Sequence, residues 1–204
     1  MVSMVSAPAP ELLLRSPDAT WNAERWEQIG DDGNRYEVLD GVLYMSTAPS
    51  PAHQMVIRQS QREMYRQIDD RGIGITLGAP IGLFMPGADP VQPDILVLHE
   101  ADRARIGRRR ITCIPALIVE VLSPSNADYD LVIKRGIYAR AGVPEYVIMR
   151  PSMRDLLVHT RPEPATGQYL QVTTLSGNDE YAATTLPFRA NVATFFAELP
   201  EEAE

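Results

Sequence analysis

The spacing of apolar positions changes several times along the chain, and each change predicts an element. Arg35-Tyr36-Glu37-Val38-Leu39 and Val42-Leu43-Tyr44-Met45 are β-prone runs separated by Asp40-Gly41. An Asp-Gly pair there predicts a tight hairpin, because both turn positions need φ > 0. Upstream, Thr20 is placed to cap a short helix to about Ile29, with Glu24 in its first turn, and Asp31-Asp32-Gly33-Asn34 reads as a turn. Ser50-Pro51 opens a second helix, with serine as N-cap and proline at the first helical position. It is expected to run to about Asp69, since His53, Val56, Ile57, Ser60, Met64 and Ile68 recur at helical spacing.

Beyond Asp70 the runs shorten. Residues 73–77 and 81–85 are expected as strands on either side of Gly78-Ala79-Pro80. Ile95-Leu96-Val97-Leu98 is an unbroken apolar run and reads as a buried strand, and residues 116–122 read as a central strand buried on both faces. Ser123-Pro124-Ser125-Asn126 is expected to cap a helix from about Ala127 to Ala141, closed by Gly142. Residues 145–149 form a further strand, residues 155–160 and 169–175 a hairpin, and residues 188–199 a terminal helix. Strands interleaved with helices give the class: α/β, a mixed sheet flanked by helices.

Length and composition fit one domain. The 204 residues are expected to divide into a Pro- and Ala-rich flexible tail over residues 1–19, a single domain over 20–199 and an acidic tail over 200–204. No apolar run approaches the ~20 residues that cross a bilayer, and the N-terminus has no basic start, so neither a membrane span nor a signal peptide is expected. The lone Cys113 excludes an internal disulfide and a Cys-rich zinc site, and the expected location is the cytoplasm. The formal net charge of −8 leans against a nucleic-acid partner unless basic groups cluster. They do so once, at Arg103, Arg105, Arg108, Arg109 and Arg110. That run is either a solvated basic loop or a phosphate-contacting arm.

Glu120 is the most informative residue, because it interrupts an otherwise apolar strand. A carboxylate there must be paired, protonated or metal-bound to offset its desolvation. Asp94 opens the strand at Ile95, and two neighbouring strands carrying Asp94 and Glu120 would bring two hard oxygen donors together, as a divalent cation requires. As a lone residue Asp94 is equally a turn former. Asp130, Lys134 and Tyr138 share one helical face. Lys134 is then either half of an exposed Asp130–Lys134 pair or an ammonium aimed at the carboxylates, where it would stabilise charge on a phosphoryl oxygen. Glu37, beside the hairpin, and His53, in the first turn of its helix, complete the set; an apolar-face histidine such as His53 is most often a hydrogen-bonded core residue. Other hydrolase and cofactor signatures are missing: there is no Gly-x-Ser-x-Gly elbow, no His-Glu-x-x-His, and Gly72-Ile73-Gly74 leads into a strand rather than a helix.

The order of these pieces resembles the Uma2 family of restriction-endonuclease-like proteins. The resemblance runs from about Thr20 to Phe188 through Arg35-Tyr36-Glu37-Val38-Leu39-Asp40-Gly41, Ser50-Pro51-Ala52-His53, Pro93-Asp94-Ile95 and Ile118-Val119-Glu120-Val121-Leu122-Ser123-Pro124-Ser125. It continues with Asp130 and Lys134, then Tyr138-Ala139-Arg140-Ala141-Gly142-Val143-Pro144-Glu145-Tyr146. The family in turn is similar to the PD-(D/E)XK nucleases. That similarity implies a core sheet of about four strands and hydrolysis of phosphodiesters dependent on Mg²⁺ or Mn²⁺. Asp94 matches the first acid and Glu120 the second; Leu122 stands where the lysine is usual, and the resemblance assigns that role to Lys134. Glu37 and His53 match additional polar positions. The implied metal ligands are Asp94, Glu120, the Val121 carbonyl and Glu37. The implied partner is nucleic acid, with DNA expected, the assembly expected is a homodimer, and Arg108, Arg109 and Arg110 are the candidates for phosphate contact. A second departure is Arg150-Pro151, where the family commonly has Asp-Pro. The alternative to a nuclease is a non-catalytic interaction module that retains the fold, which the missing lysine after Glu120 favours.

Overall fold

The computed structural model describes residues 14–200 apart from 31, 33, 47 and 124–128. In chain order the elements are β1 (Leu14–Arg15), α1 (Ala23–Gln28), β2 (Arg35–Leu39), β3 (Val42–Ser46), α2 (Pro51–Met64), β4 (Gly74–Gly78), β5 (Gly82–Leu83), β6 (Ile95–His99), β7 (Arg110–Ile111), β8 (Leu117–Val121), α3 (Arg135–Ala141), β9 (Glu145–Arg150), β10 (Asp155–Glu163), β11 (Gln168–Ser176), β12 (Glu180–Ala182), β13 (Arg189–Asn191) and α4 (Val192–Phe195).

Six strands form the central sheet in the order β11-β10-β9-β8-β6-β4. Only β8 and β9 are parallel; the other neighbours are antiparallel, so the sheet is mixed, as the sequence predicts. The four strands β4, β6, β8 and β9 are extended by the long β10–β11 hairpin, which accounts for the two strands beyond the expected four. Every residue of β8 is buried, because β6 and β9 flank it and both sheet faces are covered. One face packs Leu117, Val119 and Val121 against Val56, Met64 and Ile68 of the α2 segment and against Phe188 and Phe195. The other packs Leu96, Leu98, Ile118 and Ile148 against Ile137 and Tyr138 of α3 and Leu39, Val42 and Tyr44 of the β2–β3 hairpin.

The local signals explain most elements. Asp40 (φ 48°) and Gly41 (φ 79°) both take the left-handed conformation that the two-residue hairpin demands. Ser50 caps α2 through the His53 N–H, with Pro51 at its start. Gly142 closes α3 at φ 81°. Gly74, in β4, lies so close to β6 that an added Cβ would stand 2.3 Å from the Leu98 carbonyl oxygen. Neither backbone can retreat without breaking the ladder, so Gly74→Ala is expected to destabilise the protein by ~1–3 kcal/mol. Urea denaturation measures this, and an unchanged midpoint would contradict that packing.

Four expectations need correction. Residues 188–199 are not one helix: Phe188, Ala190 and Val192 are buried while Arg189 and Asn191 are exposed, a period of two, so β13 pairs with β12 and only the short α4 follows. The strand expected over 81–85 shrinks to Gly82–Leu83, paired in parallel with β7. Asn22, not Thr20, caps α1, accepting from the Arg25 N–H. The segment ahead of α3 is not regular α-helix over Tyr129–Lys134 but a wider helical turn. The cap expected at Pro124-Ser125-Asn126 and the helix start at Ala127 lie outside the described residues.

Candidate active site

Register places the acids. In the antiparallel β6–β8 pair Ile95 stands opposite Val119, and continuing one step brings Asp94 opposite Glu120 on the same face. The Asp94 N–H donates to Glu120 Oε2 (3.2 Å), and the Val121 N–H donates to Asp94 Oδ2 (2.9 Å). Strand ends thus fix both carboxylates, and both are almost fully buried.

The surrounding elements deliver the rest. His53, in the first turn of α2, donates from Nε2 to Asp94 Oδ2 at 3.1 Å, leaving its buried Nδ1 without a partner among the described residues. Glu37, on β2, is held by the Gln92 N–H at 2.8 Å. Lys134 ends the wide turn and points inward: its Nζ lies 3.0 Å from Glu120, 3.2 Å from Glu37 and 3.4 Å from Asp130. Asp130 and Lys134 are therefore a buried pair, not an exposed one. Tyr138, one helical turn on, donates to Glu120 Oε1 at 2.8 Å.

Arg35 is the site residue that sequence reasoning passes over. From the start of β2 its Nη1 reaches Asp94 Oδ1 at 2.8 Å, and Nη2 donates to the Gln92 carbonyl and lies 3.9 Å from both Glu37 and Glu120. A signal for it exists: Arg35 and Glu37 are two apart on a strand and face the same side. Arg35, Glu37, His53, Asp94, Glu120, Asp130 and Lys134 line one pocket of about 490 Å³, together with Asn34, Gln54, Gln61 and Ser123; Tyr138 supports Glu120 from behind it.

Charge is out of balance here. Four carboxylates (Glu37, Asp94, Glu120 and Asp130) face two permanent cations, Arg35 and Lys134. Burial opposes ionisation of Asp94, but the Arg35 guanidinium, the His53 hydrogen bond and Lys134 together hold its carboxyl far below the ordinary range. For Glu120 burial prevails with the help of Asp94, Asp130 and Glu37, and its carboxyl is pushed well up despite Lys134. Burial, with Asp94 and Glu37, raises Asp130 to about 6 against the pull of Lys134. Burial works against the Lys134 ammonium, but Glu120, Glu37 and Asp130 outweigh it and keep the side chain charged. The site is a buried, oxygen-rich and electron-rich cavity short of positive charge.

The arginine run stands apart from this pocket. Arg103 pairs with Glu100, while Arg110 pairs with Glu27 and lies over the Phe84 ring. Arg105, Arg108 and Arg109 are exposed and form no ion pair among the described residues. None of the five lines the cavity. Arg150 is likewise remote: it closes the β9–β10 turn through Asp155, with Nε 2.7 Å from Oδ1.

A family model described as Uma2, "Putative restriction endonuclease", matches residues 23–193, which contain every side chain of the pocket named above. The chain belongs to the Uma2 family. A solved structure supports the fold: a crystal structure described as that of a putative nuclease belonging to DUF820, from Anabaena variabilis, superposes with a TM-score of 0.73 over 87% of this chain and 98% of the other, at 12% identity. No curated protein matches. The Uma2 assignment and the restriction-endonuclease-like sheet agree with the resemblance read from the motifs.

Proposed function

We propose that this Uma2 protein is an endonuclease that hydrolyses phosphodiester bonds of nucleic acid with the help of a divalent cation, Mg²⁺ or Mn²⁺. The observation that carries the reading is the pairing of Asp94 with Glu120 across β6 and β8, with Lys134 seated on Glu120.

The donor set suits a hard cation: carboxylate oxygens, a surplus of negative charge, and no sulfur. Among the described residues no three His, Cys, Asp or Glu side chains stand in a ready ligand arrangement, and the acid oxygens bond Arg35, Lys134 and Tyr138. Asp94 and Glu120 would hold the ion, with Glu37 and the Val121 carbonyl as further donors. Such an ion supplies an activated water and polarises phosphoryl oxygens. The chain's own groups do the rest. His53 and the Val121 N–H lock Asp94 through one oxygen. Tyr138 orients Glu120. Lys134 sets a permanent positive charge where negative charge grows on the phosphate oxygens. Leu122 occupies the usual lysine position, but Lys134 supplies the missing ammonium at 3.0 Å from the same acid, which favours an enzyme over a non-catalytic module.

DNA is the proposed substrate, the cytoplasm the proposed location and a homodimer the proposed assembly. No helix among the described residues is long and apolar enough to cross a membrane. Circular single-stranded DNA, which offers no ends, is the test substrate: it is expected to be cut in Mn²⁺ and left intact in EDTA or by Asp94→Asn. Circles that survive in every divalent metal, together with intact RNA, would remove the reading.

Long-range phosphate contact is assigned to the exposed Arg105, Arg108 and Arg109. Replacing all three with glutamine is expected to weaken DNA binding and to reduce its log–log salt slope by roughly 0.9 for each phosphate that is no longer neutralised. An unchanged slope would leave the run as a solvated loop.

A further inference from the structure

The two cations of the cluster are not equivalent. Lys134 is as buried as the carboxylates and bonds three of them. Arg35 sits on the pocket wall with 22% of its side chain exposed; its guanidinium bonds Asp94 and lies 3.9 Å from both Glu37 and Glu120. These are the acids proposed to hold the divalent ion. A guanidinium and a divalent cation compete for the same oxygens, and Asp94 Oδ1 is already taken at 2.8 Å. The seat is also imperfect: Arg35 Nε is buried with no acceptor among the described residues. A donor left unsatisfied lowers the cost of leaving.

We propose that Arg35 is a resident counter-ion that a divalent metal displaces from Asp94, and that the freed guanidinium then binds a phosphate of the nucleic acid. This rests on the metal-dependent nuclease reading and adds a coupling to it. In the apo pocket Arg35 offsets part of the surplus negative charge, and metal entry converts an internal ion pair into a phosphate receptor. A guanidinium suits that receptor because its planar fork matches a phosphate in bidentate fashion. Linkage then requires that metal and nucleic acid each tighten the other's binding through this residue.

The test compares the full-length wild type with Arg35→Gln and Arg35→Lys. Mn²⁺ is titrated calorimetrically, and binding of a labelled single-stranded oligonucleotide is measured in Ca²⁺ and in EDTA. Arg35→Gln is expected to bind Mn²⁺ at least about tenfold more tightly, since a competing charge has left the acids, yet to lose the gain in oligonucleotide affinity that Ca²⁺ gives the wild type. Arg35→Lys is expected to lie between the two. Equal or weaker Mn²⁺ binding by Arg35→Gln would make Arg35 a fixed support of Asp94 and overturn the proposal while leaving the nuclease reading intact. Failure of all three proteins to bind Mn²⁺ would remove both. A readout that needs no variant to fold is the Arg35 Nε–H resonance of the wild type: it is expected to shift on saturation with Mg²⁺, and a signal unmoved at saturation would also overturn the proposal.

Discussion

Replacing Lys134 with methionine is expected to be the most damaging single change in the molecule. The ammonium bridges Glu120, Glu37 and Asp130 within 3.4 Å, and only 6% of its side chain is exposed. Its loss leaves three buried carboxylates with Arg35 as the nearest cation. Breaking a buried ion pair from one side costs about 3–5 kcal/mol, and part of that is recovered because the orphaned acids can take up protons. Chemical denaturation of the metal-free protein is therefore expected to show a deficit of ~3 kcal/mol at neutral pH. The deficit should depend on pH with a definite sign. Asp130 is raised to about 6 in the wild type, and removing its lysine raises it further. A group whose folded pKa lies above its unfolded value contributes stability below the unfolded pKa and loses it as pH rises through the folded one. The gap between variant and wild type should thus narrow below about pH 5 and widen above about pH 6. A gap independent of pH would mean that Lys134 does not neutralise these acids. Nuclease activity should vanish at every pH.

Glu120→Gln separates stability from function. Burial and three neighbouring acids already push the Glu120 carboxyl toward its neutral form, and glutamine is nearly isosteric with that form. The amide oxygen retains an acceptor for Lys134 and Tyr138, while its NH2 replaces the acceptor of the Asp94 N–H, a loss of about 1 kcal/mol that relief of the crowding of acids offsets. The variant is expected to melt no lower than the wild type while cleavage falls by at least about 10²-fold. Such a trade of activity for stability is what a functional, rather than structural, cluster of like charges produces. A clear drop in melting temperature with cleavage intact would make Glu120 a structural acid.

The parts of this arrangement that are legible in the sequence are those governed by local rules. Asp40-Gly41 dictates its hairpin because few residue pairs tolerate two positive φ values. Glu120 announces itself because an acid inside an apolar strand must be compensated, and Asp94 because it opens the adjoining one. What escapes depends on partners distant in sequence. Whether Asp130 and Lys134 form an exposed pair or a buried one turns on what their shared face meets, and it meets Glu120 and Glu37, which no residue period reports. Arg35 reads as an ordinary edge residue until β2 is laid beside Gln92 and Asp94, 57 and 59 residues away. The terminal segment misleads because Phe188, Val192, Phe195, Phe196 and Leu199 satisfy a helical spacing, while its first residues follow a period of two set by pairing with β12. The arginine run is conspicuous by composition alone, yet the fold sets it outside the pocket.

The most direct measurement of the central claim is the conversion of supercoiled plasmid to nicked and linear forms by purified protein in Mg²⁺, Mn²⁺ or EDTA, beside Glu120→Gln. Cleavage that requires the metal and disappears in the variant is the predicted result. Cleavage that persists in EDTA, or in Glu120→Gln at the wild-type rate, would contradict a metal-dependent site built on Asp94 and Glu120.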